Sequence, residues 1–143
     1  MMKKTAETKL RVRYQETDQM GVVYHANYLV WFESGRTEFM REHGFSYKKL
    51  EEKGILLPVV DIHCKYLYSA KYDDLVVVRT SIKDWNKWKI IFSYEVVNHE
   101  TGQCLAKGES SHLWVDRNMK RVNLKKAVPE LYDWFIRFTE EGK

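Results

Sequence analysis

Beyond Gly54 the apolar residues change from a helical period to a period of two, and that switch constrains the fold more than any other feature of the chain. Before it, Tyr28, Trp31, Phe32, Phe39 and Met40 recur at spacings of three, four, seven and eight, with Leu29 and Val30 filling the gaps. This pattern predicts one long helix ending at Gly44, with first turns apolar almost all round and buried by their surroundings. After the switch, Val76, Val78, Thr80 and Ile82 share one face, as do Trp88, Ile90, Phe92, Tyr94 and Val96. Strands are expected over Leu56–Tyr68, Leu75–Asp84, Trp88–Asn98 and Cys104–Val115, the last with Leu105, Leu113 and Val115 on one side. The connectors between them are mostly short and polar, so consecutive strands should pair as antiparallel hairpins. A first strand over Lys9–Tyr14, a short helix or turn over Ser46–Lys53 and a last helix over about Pro129–Thr139 complete the order. The class is α+β: a long antiparallel sheet curled around one apolar helix, each burying the other's exposed face, with a C-terminal helix. Gly35, in mid-helix at a cost of roughly 1 kcal/mol, marks either a close approach or simple tolerance. Long strands also leave sheet edges that must be covered or paired with another subunit, and a dimer does this economically.

The bulk composition fits that picture and removes several function classes. The 143 residues, 44% hydrophobic and 31% charged, read as one domain (1–143) able to bury a core without staples. A net charge of +4 is spread along the chain without a run of like charges, which argues against a nucleic-acid partner. No segment approaches the ~20 apolar residues that span a bilayer, so no membrane insertion is expected. The N-terminal residues lack the apolar stretch of a secretion signal, and Cys64 and Cys104 match no metal spacing. The expectation is a cytoplasmic protein with reduced thiols.

The chemistry concentrates in Thr17–Leu29, TDQMGVVYHANYL, directly before the long helix. Asp18 offers a carboxylate, Gly21 a bend, and the helix start unpaired N–H donors with Asn27 as candidate N-cap. A carboxylate facing such donors suits attack on a carbonyl, with Asp18 as general base on water or as nucleophile. The backbone N–H of His25 can donate to an oxyanion while its ring holds substrate or water. Glu16 reads as a surface residue, because in extended chain it points away from Asp18. Tyr24, Tyr28, Trp31 and Met20 are candidate pocket residues. His63, His99, His112 and Asp61 match no metal signature, so no metal is expected.

ETDQMGVVYHANY, Glu16–Tyr28, resembles the signature loop of the hotdog-fold acyl-CoA thioesterases. The nearest group is the 4-hydroxybenzoyl-CoA thioesterase family, in the branch related to the Tol-Pal-associated acyl-CoA thioesterase. Thr17, Asp18, Gly21, Tyr24, His25, Asn27 and Tyr28 stand in matching places, and Gln19-Met20 is the variable pair. WFESGRTEFMREHG and SAKYDDLVVVRTSI resemble the same family, which extends the likeness from about Arg11 to Val115. The resemblance implies a hotdog fold assembling as homodimers or homotetramers with sites at the subunit interface. It implies an acyl-CoA substrate hydrolysed to free acid and coenzyme A, with no metal and no redox cofactor. Asp18 takes the place of the catalytic carboxylate, and the His25 amide the place that polarises the thioester carbonyl. Gly21, Tyr24, Asn27 and Tyr28 fall at substrate-binding places. Lys87 and Lys89 fall near where relatives offer basic residues, there paired arginines, to the phosphates of coenzyme A. Two rival readings use the same fold. One is hydrolysis of acyl groups carried on acyl carrier protein, docked on a basic rim of Lys65, Lys71, Lys87 and Lys89. The other is an acyl-CoA-binding module without turnover.

Overall fold

A computed structural model describes residues 4–141. Its elements follow the expected order: β1 (Thr5–Arg11), α1 (Asn27–His43), α2 (Tyr47–Glu52), β2 (Val59–Tyr66), β3 (Leu75–Trp85), β4 (Lys89–Asn98), β5 (Cys104–Leu113), α3 (Leu124–Ala127) and α4 (Pro129–Glu141). The strands form one antiparallel sheet in the order β1-β3-β4-β5-β2. Alternation explains the sheet's inner face: Val76, Val78, Thr80, Ile90, Phe92, Tyr94 and Val96 are all buried, and α1 lies across them. Phe32 stacks flat on Tyr94 with ring centroids 4.3 Å apart, and Phe39 meets Phe92 edge-on at 6.0 Å. Gly35 marks a close approach. A Cβ there would lie 2.6 Å from Thr80 Oγ1 and 2.7 Å from Val78 Cγ1, so only glycine lets helix and sheet touch at this point. Gly44 ends α1 in the left-handed conformation at φ 93°. The aromatic stripe of α4 closes one end of the core, with Phe135 fully buried between Phe45, Trp85 and Trp114.

Four expectations are corrected, each for a local physical reason. The first strand lies earlier than Lys9–Tyr14, because Val12 exchanges hydrogen bonds with Asp73 and Asp74 and the chain then turns through a 3₁₀ segment, Tyr14–Glu16. On β5, a register shift between Val96 and Val97 leaves Leu105 as the extra residue. Beyond it Ala106, Gly108, Ser110 and His112 face the helix, so Leu113 falls on the opposite side from the one expected. Val30 is 51% exposed, so the first turns of α1 are not buried all round. Finally, β2 does not pair with β3. It pairs with β5, at the opposite sheet edge from β1, and the 67–74 connector must return across the end of the sheet.

That crossover positions everything that follows. Leaving β2, Leu67 donates to the Leu105 carbonyl, so the strap starts on the β5 side. Ala70 then docks on the helix start, donating to the Tyr28 hydroxyl at 3.0 Å and accepting from Val23 N–H at 2.9 Å. Asp73 and Asp74 reach Val12 on the β1 side. The strap therefore runs over the N-terminus of α1.

Candidate active site

The loop before α1 closes on itself. Thr17 and Val23 form an antiparallel bridge, Asp18 N–H donates to Val22 O at 2.8 Å, and Gly21 N–H donates to Asp18 O at 3.0 Å. Gly21 holds φ 79°, where a side chain would be strained. The Asp18 carboxylate accepts from Met20 N–H through Oδ1 at 2.8 Å, an Asx turn that fixes its rotamer. Among the described residues, Oδ2 of Asp18 accepts no hydrogen bond.

Glu16 hangs this loop on the helix, and reading it as a surface residue was wrong. It is 6% exposed. Its carboxylate accepts from the Arg13 amide at 2.8 Å and from the Trp31 indole at 3.0 Å, with the Arg13 guanidinium 3.7 Å away. Its carbonyl accepts from Tyr24 N–H at 2.8 Å and from the Asn27 side-chain amide at 2.9 Å. Asn27 is accordingly not the N-cap: Ala26 is, and no side chain caps the helix. Asn27 is the first helical residue, with its side chain turned back to the loop rather than forward to a ligand.

The uncapped start leaves specific donors open. Asn27, Tyr28 and Leu29 N–H groups donate to the carbonyls of Tyr24, His25 and Ala26 at 2.9, 3.2 and 3.1 Å. Among the described residues, the His25 and Ala26 N–H groups donate to no acceptor. A trans peptide sets its N–H opposite its C=O, so carbonyls turned into the helix leave these two donors pointing out of it. The positive end of the helix dipole lies behind them.

Asp18, His25 and Tyr28 line a cavity of about 250 Å³, walled on its far side by Tyr66, Leu67 and Tyr68. Tyr66 was not singled out in the sequence. Its hydroxyl donates to the His25 carbonyl at 2.9 Å, and its ring meets Tyr28 edge-on at 5.1 Å. Partial desolvation first, and Cys64 beside it second, push its pKa up to about 12, and burial also raises that of Tyr28. Both phenols stay neutral donors and acceptors across physiological pH. The only sequence signal for Tyr66 is its place on the inward side of β2 with Ile62 and Cys64. That signal becomes informative once the strand order puts the end of β2 over the helix start. Tyr24 is exposed and meets the His25 ring tilted at 46°, with centroids 4.5 Å apart, outside the cavity wall.

Lys87 and Lys89 lie elsewhere in this chain. Tyr66 sits level with Ala106 and Val96, whereas Lys89 pairs with Leu113, seven residues along β4 and roughly 24 Å away at about 3.4 Å per residue. The Lys87 carbonyl accepts from Leu124 N–H at 2.8 Å, and its ammonium lies 6.0 Å from the Trp88 ring centre. His63 and His112, on neighbouring strands, face opposite sides of the sheet: His63 meets Glu109 at 3.3 Å outside, while His112 is fully buried. No helix among the described residues is long and apolar enough to cross a membrane.

The carboxylate-bearing loop and the uncapped start of α1 thus border one cavity. The profile of the thioesterase-like superfamily matches residues 12–135. The chain belongs to that superfamily. It is a thioester hydrolase of the hotdog fold. The Bacillus subtilis protein YneP, which carries the name of an acyl-CoA thioesterase, is 42% identical over 139 residues, 96% of this chain and 98% of its own length. The acyl-CoA thioester hydrolase YbgC of Escherichia coli is 35% identical over 91 residues, covering 64% of this chain and 68% of its own. The crystal structure of the DHNA-CoA thioesterase from Staphylococcus aureus superposes with a TM-score of 0.86 at 32% identity, covering 97% of this chain and 95% of that one.

Proposed function

We propose that this thioester hydrolase acts on acyl-CoA, with Asp18 as the catalytic carboxylate and the His25 amide polarising the thioester carbonyl. One observation carries the reading: the free Oδ2 of Asp18 and the unpaired His25 N–H belong to residues lining the same cavity. In the general-base route, water attacks the carbonyl carbon while Asp18 takes its proton. The carbonyl oxygen gains negative charge against the His25 N–H and the helix dipole. Collapse of the tetrahedral intermediate breaks the C–S bond, and the leaving thiolate takes up a proton as coenzyme A. In the nucleophilic route Asp18 attacks first and expels the coenzyme A thiolate as the C–S bond breaks, and water then opens the resulting mixed anhydride to free acid and carboxylate. Heavy-oxygen water in a single turnover identifies the second route when water opens the anhydride at the Asp18 carbonyl, because only then does label stay on Asp18.

The neutral aromatic wall of Tyr28 and Tyr66, and the likeness to a DHNA-CoA thioesterase, favour a flat or short acyl group over a long chain. The His-Ala-Asn-Tyr run and the match to YbgC support placement beside the Tol-Pal-associated branch. Gly21 acts by shaping the loop, Tyr28 by lining the cavity, and Tyr24 and Asn27 by holding the helix start through their backbone and side-chain bonds. An acyl-CoA substrate puts the working compartment in the cytoplasm.

A second copy completes the site in this reading. β2 is an open sheet edge whose Val59, Val60 and Tyr66 are 43%, 54% and 45% exposed, and an edge of this kind invites antiparallel pairing with itself. Such a two-fold brings the hairpin end of the partner copy, with its lysines, to the side of this chain's Asp18. That arrangement reconciles Lys87 and Lys89 with a role at the coenzyme A phosphates despite their distance within one chain. Acyl carrier protein is the second candidate donor, since Lys65 and Lys71 are exposed on the strand and strap that wall the cavity.

The test is thiol release from short, long and aromatic acyl-CoAs and from matched acyl carrier proteins, with wild type beside Asp18→Asn. The variant should fold and lose at least about a hundredfold in turnover, the range of a lost general base. Unchanged turnover in folded Asp18→Asn removes Asp18 from the mechanism.

A further inference from the structure

We propose that Tyr66 is a positioning residue for the reaction, its hydroxyl holding the His25–Ala26 peptide so that the helix-start amides face the thioester carbonyl. The inference rests on the acyl-CoA reading above and extends it to a residue on a different element. Three contacts define it. The Tyr66 hydroxyl donates to the His25 carbonyl at 2.9 Å, and the Tyr66 ring packs edge-on against both Tyr28 at 5.1 Å and His25 at 6.2 Å.

The geometry around His25 explains why that bond matters. Two peptide planes flank the residue. The plane before it, Tyr24–His25, is set by Asn27 N–H donating to the Tyr24 carbonyl. The plane after it, His25–Ala26, is set inside the helix only by the Tyr28 N–H, at 3.2 Å, the longest of the three bonds in this first turn. Without a side-chain cap, little else within the helix restrains that plane. Tyr66 supplies the second restraint on that plane from the sheet. Peptide planarity carries it directly to the Ala26 N–H, which shares the plane, and the His25 N–H in the preceding plane is held through the His25 backbone fixed between the two.

A packing role alone does not account for the hydroxyl. Tyr66 is 45% exposed, so its hydroxyl could donate a hydrogen bond to water instead of to the His25 carbonyl at little net cost. Removing the hydroxyl should therefore leave the fold nearly unchanged and act on the reaction instead. Preorganised donors matter most where charge develops, and loss of an entire oxyanion donor costs about 10²–10³ in kcat. A donor that remains but is no longer held in line should lose part of that.

The experiment compares wild type with Tyr66→Phe on the best acyl-CoA of the panel. The expected result is a kcat lower by roughly ten- to fiftyfold, with KM within about twofold and an unchanged thermal midpoint. A second measurement does not depend on turnover. The infrared stretch of a carbonyl-labelled acyl-CoA bound to Asp18→Asn reports polarisation directly. It should move back toward its free-solution frequency in Asp18→Asn/Tyr66→Phe. A kcat within twofold of wild type, or identical stretches in the single and double variants, overturns the role of Tyr66. Wild type that releases no thiol from any donor overturns the acyl-CoA reading instead, so the two failures are distinct.

Discussion

His112 should make the protein acid-sensitive in a way that one substitution removes. Its imidazole is fully buried, with Nδ1 3.2 Å from the Leu57 carbonyl and Nε2 2.8 Å from Ser110 Oγ. A carbonyl only accepts, so the proton sits on Nδ1, and a neutral ring then presents Nε2 as an acceptor for the Ser110 hydroxyl. Ser110 in turn accepts from the Tyr94 hydroxyl at 2.6 Å, and Tyr94 accepts from the Arg36 guanidinium at 3.5 Å. Every proton in this chain runs one way, from Arg36 toward His112, and a second proton on Nε2 would oppose it. Burial first, and the Arg36 charge second, lower the His112 pKa from 6.5 to about 4. At 1.36 kcal/mol per pH unit, protonating it in the fold costs about 3 kcal/mol more than in the unfolded chain. Because the folded value lies below the unfolded one, this stability is complete above about pH 6.5. It drains as the pH falls toward 4, where the unfolded state binds the proton that the fold refuses. Urea unfolding followed by tryptophan fluorescence at fixed protein concentration and ionic strength, from about pH 7.5 to about pH 4, reads the slope. His112→Gln keeps an acceptor and a donor but does not titrate. Wild type should lose about 3 kcal/mol more than the variant across that window. Glu109 and Glu130, whose exposed carboxyls are held below the usual range by their own hydrogen bonds, titrate alike in both proteins and cancel. Parallel slopes would show that the fold accepts the His112 proton, and the one-way chain would be wrong.

Two further substitutions test the framework of the site. Gly35→Ala gains about 1 kcal/mol of helix propensity but presses a Cβ to 2.6 Å from Thr80 Oγ1 and 2.7 Å from Val78 Cγ1. Both neighbours are stiff β-branched residues, and such overpacking costs about 1–3 kcal/mol, so the urea midpoint should fall. A midpoint equal to or above wild type would mean the sheet yields at this contact. Glu16→Gln sets an amide nitrogen against either the Arg13 N–H or the Trp31 indole N–H, each now served by a carboxylate oxygen. Stability should fall by about 1–3 kcal/mol. Because the loop carrying Asp18 hangs from Glu16, kcat should fall by at least about fivefold in the folded variant. Full activity would detach the loop's geometry from its anchor.

The elements were legible where one residue pattern has one consequence. A period of two buried Val76, Val78, Thr80, Ile90, Phe92, Tyr94 and Val96 as expected, because a strand in a two-sided sheet has one inward face. Gly44 declared itself because a helix end in the left-handed conformation favours glycine, whereas Gly35 left close approach and tolerance open until the sheet contact decided between them. The β5 face was hidden by a single bulge, since one extra residue inverts the parity of everything beyond it. Glu16 was misplaced for a related reason: extended-chain alternation does not apply to a residue in a 3₁₀ turn. Tyr66 offered only its place in the alternation of β2. Its meaning depends on β2 pairing with β5 rather than β3, and nothing local to residues 59–68 states that choice.

The least legible feature is also the one on which the proposed chemistry turns, the unfinished start of α1. A reciprocal cap would place Ser or Thr at position 26 and Glu or Gln at position 29, and the latter would consume the N–H of residue 26. Ala26 and Leu29 stand there, and the side chain with the right chemistry, Asn27, is turned back to the Glu16 carbonyl. The helix thus forgoes about 1 kcal/mol of capping and keeps the Ala26 N–H open beside that of His25. A helix end left uncapped frays unless something else holds it. Here Glu16 holds the preceding loop, Tyr66 holds the His25 carbonyl, and the strap through Ala70 holds Tyr28. Three distant parts of the sequence restrain from outside the turn that a single serine would have restrained from within. That substitution of long-range restraint for local capping is what leaves the donors both fixed and free.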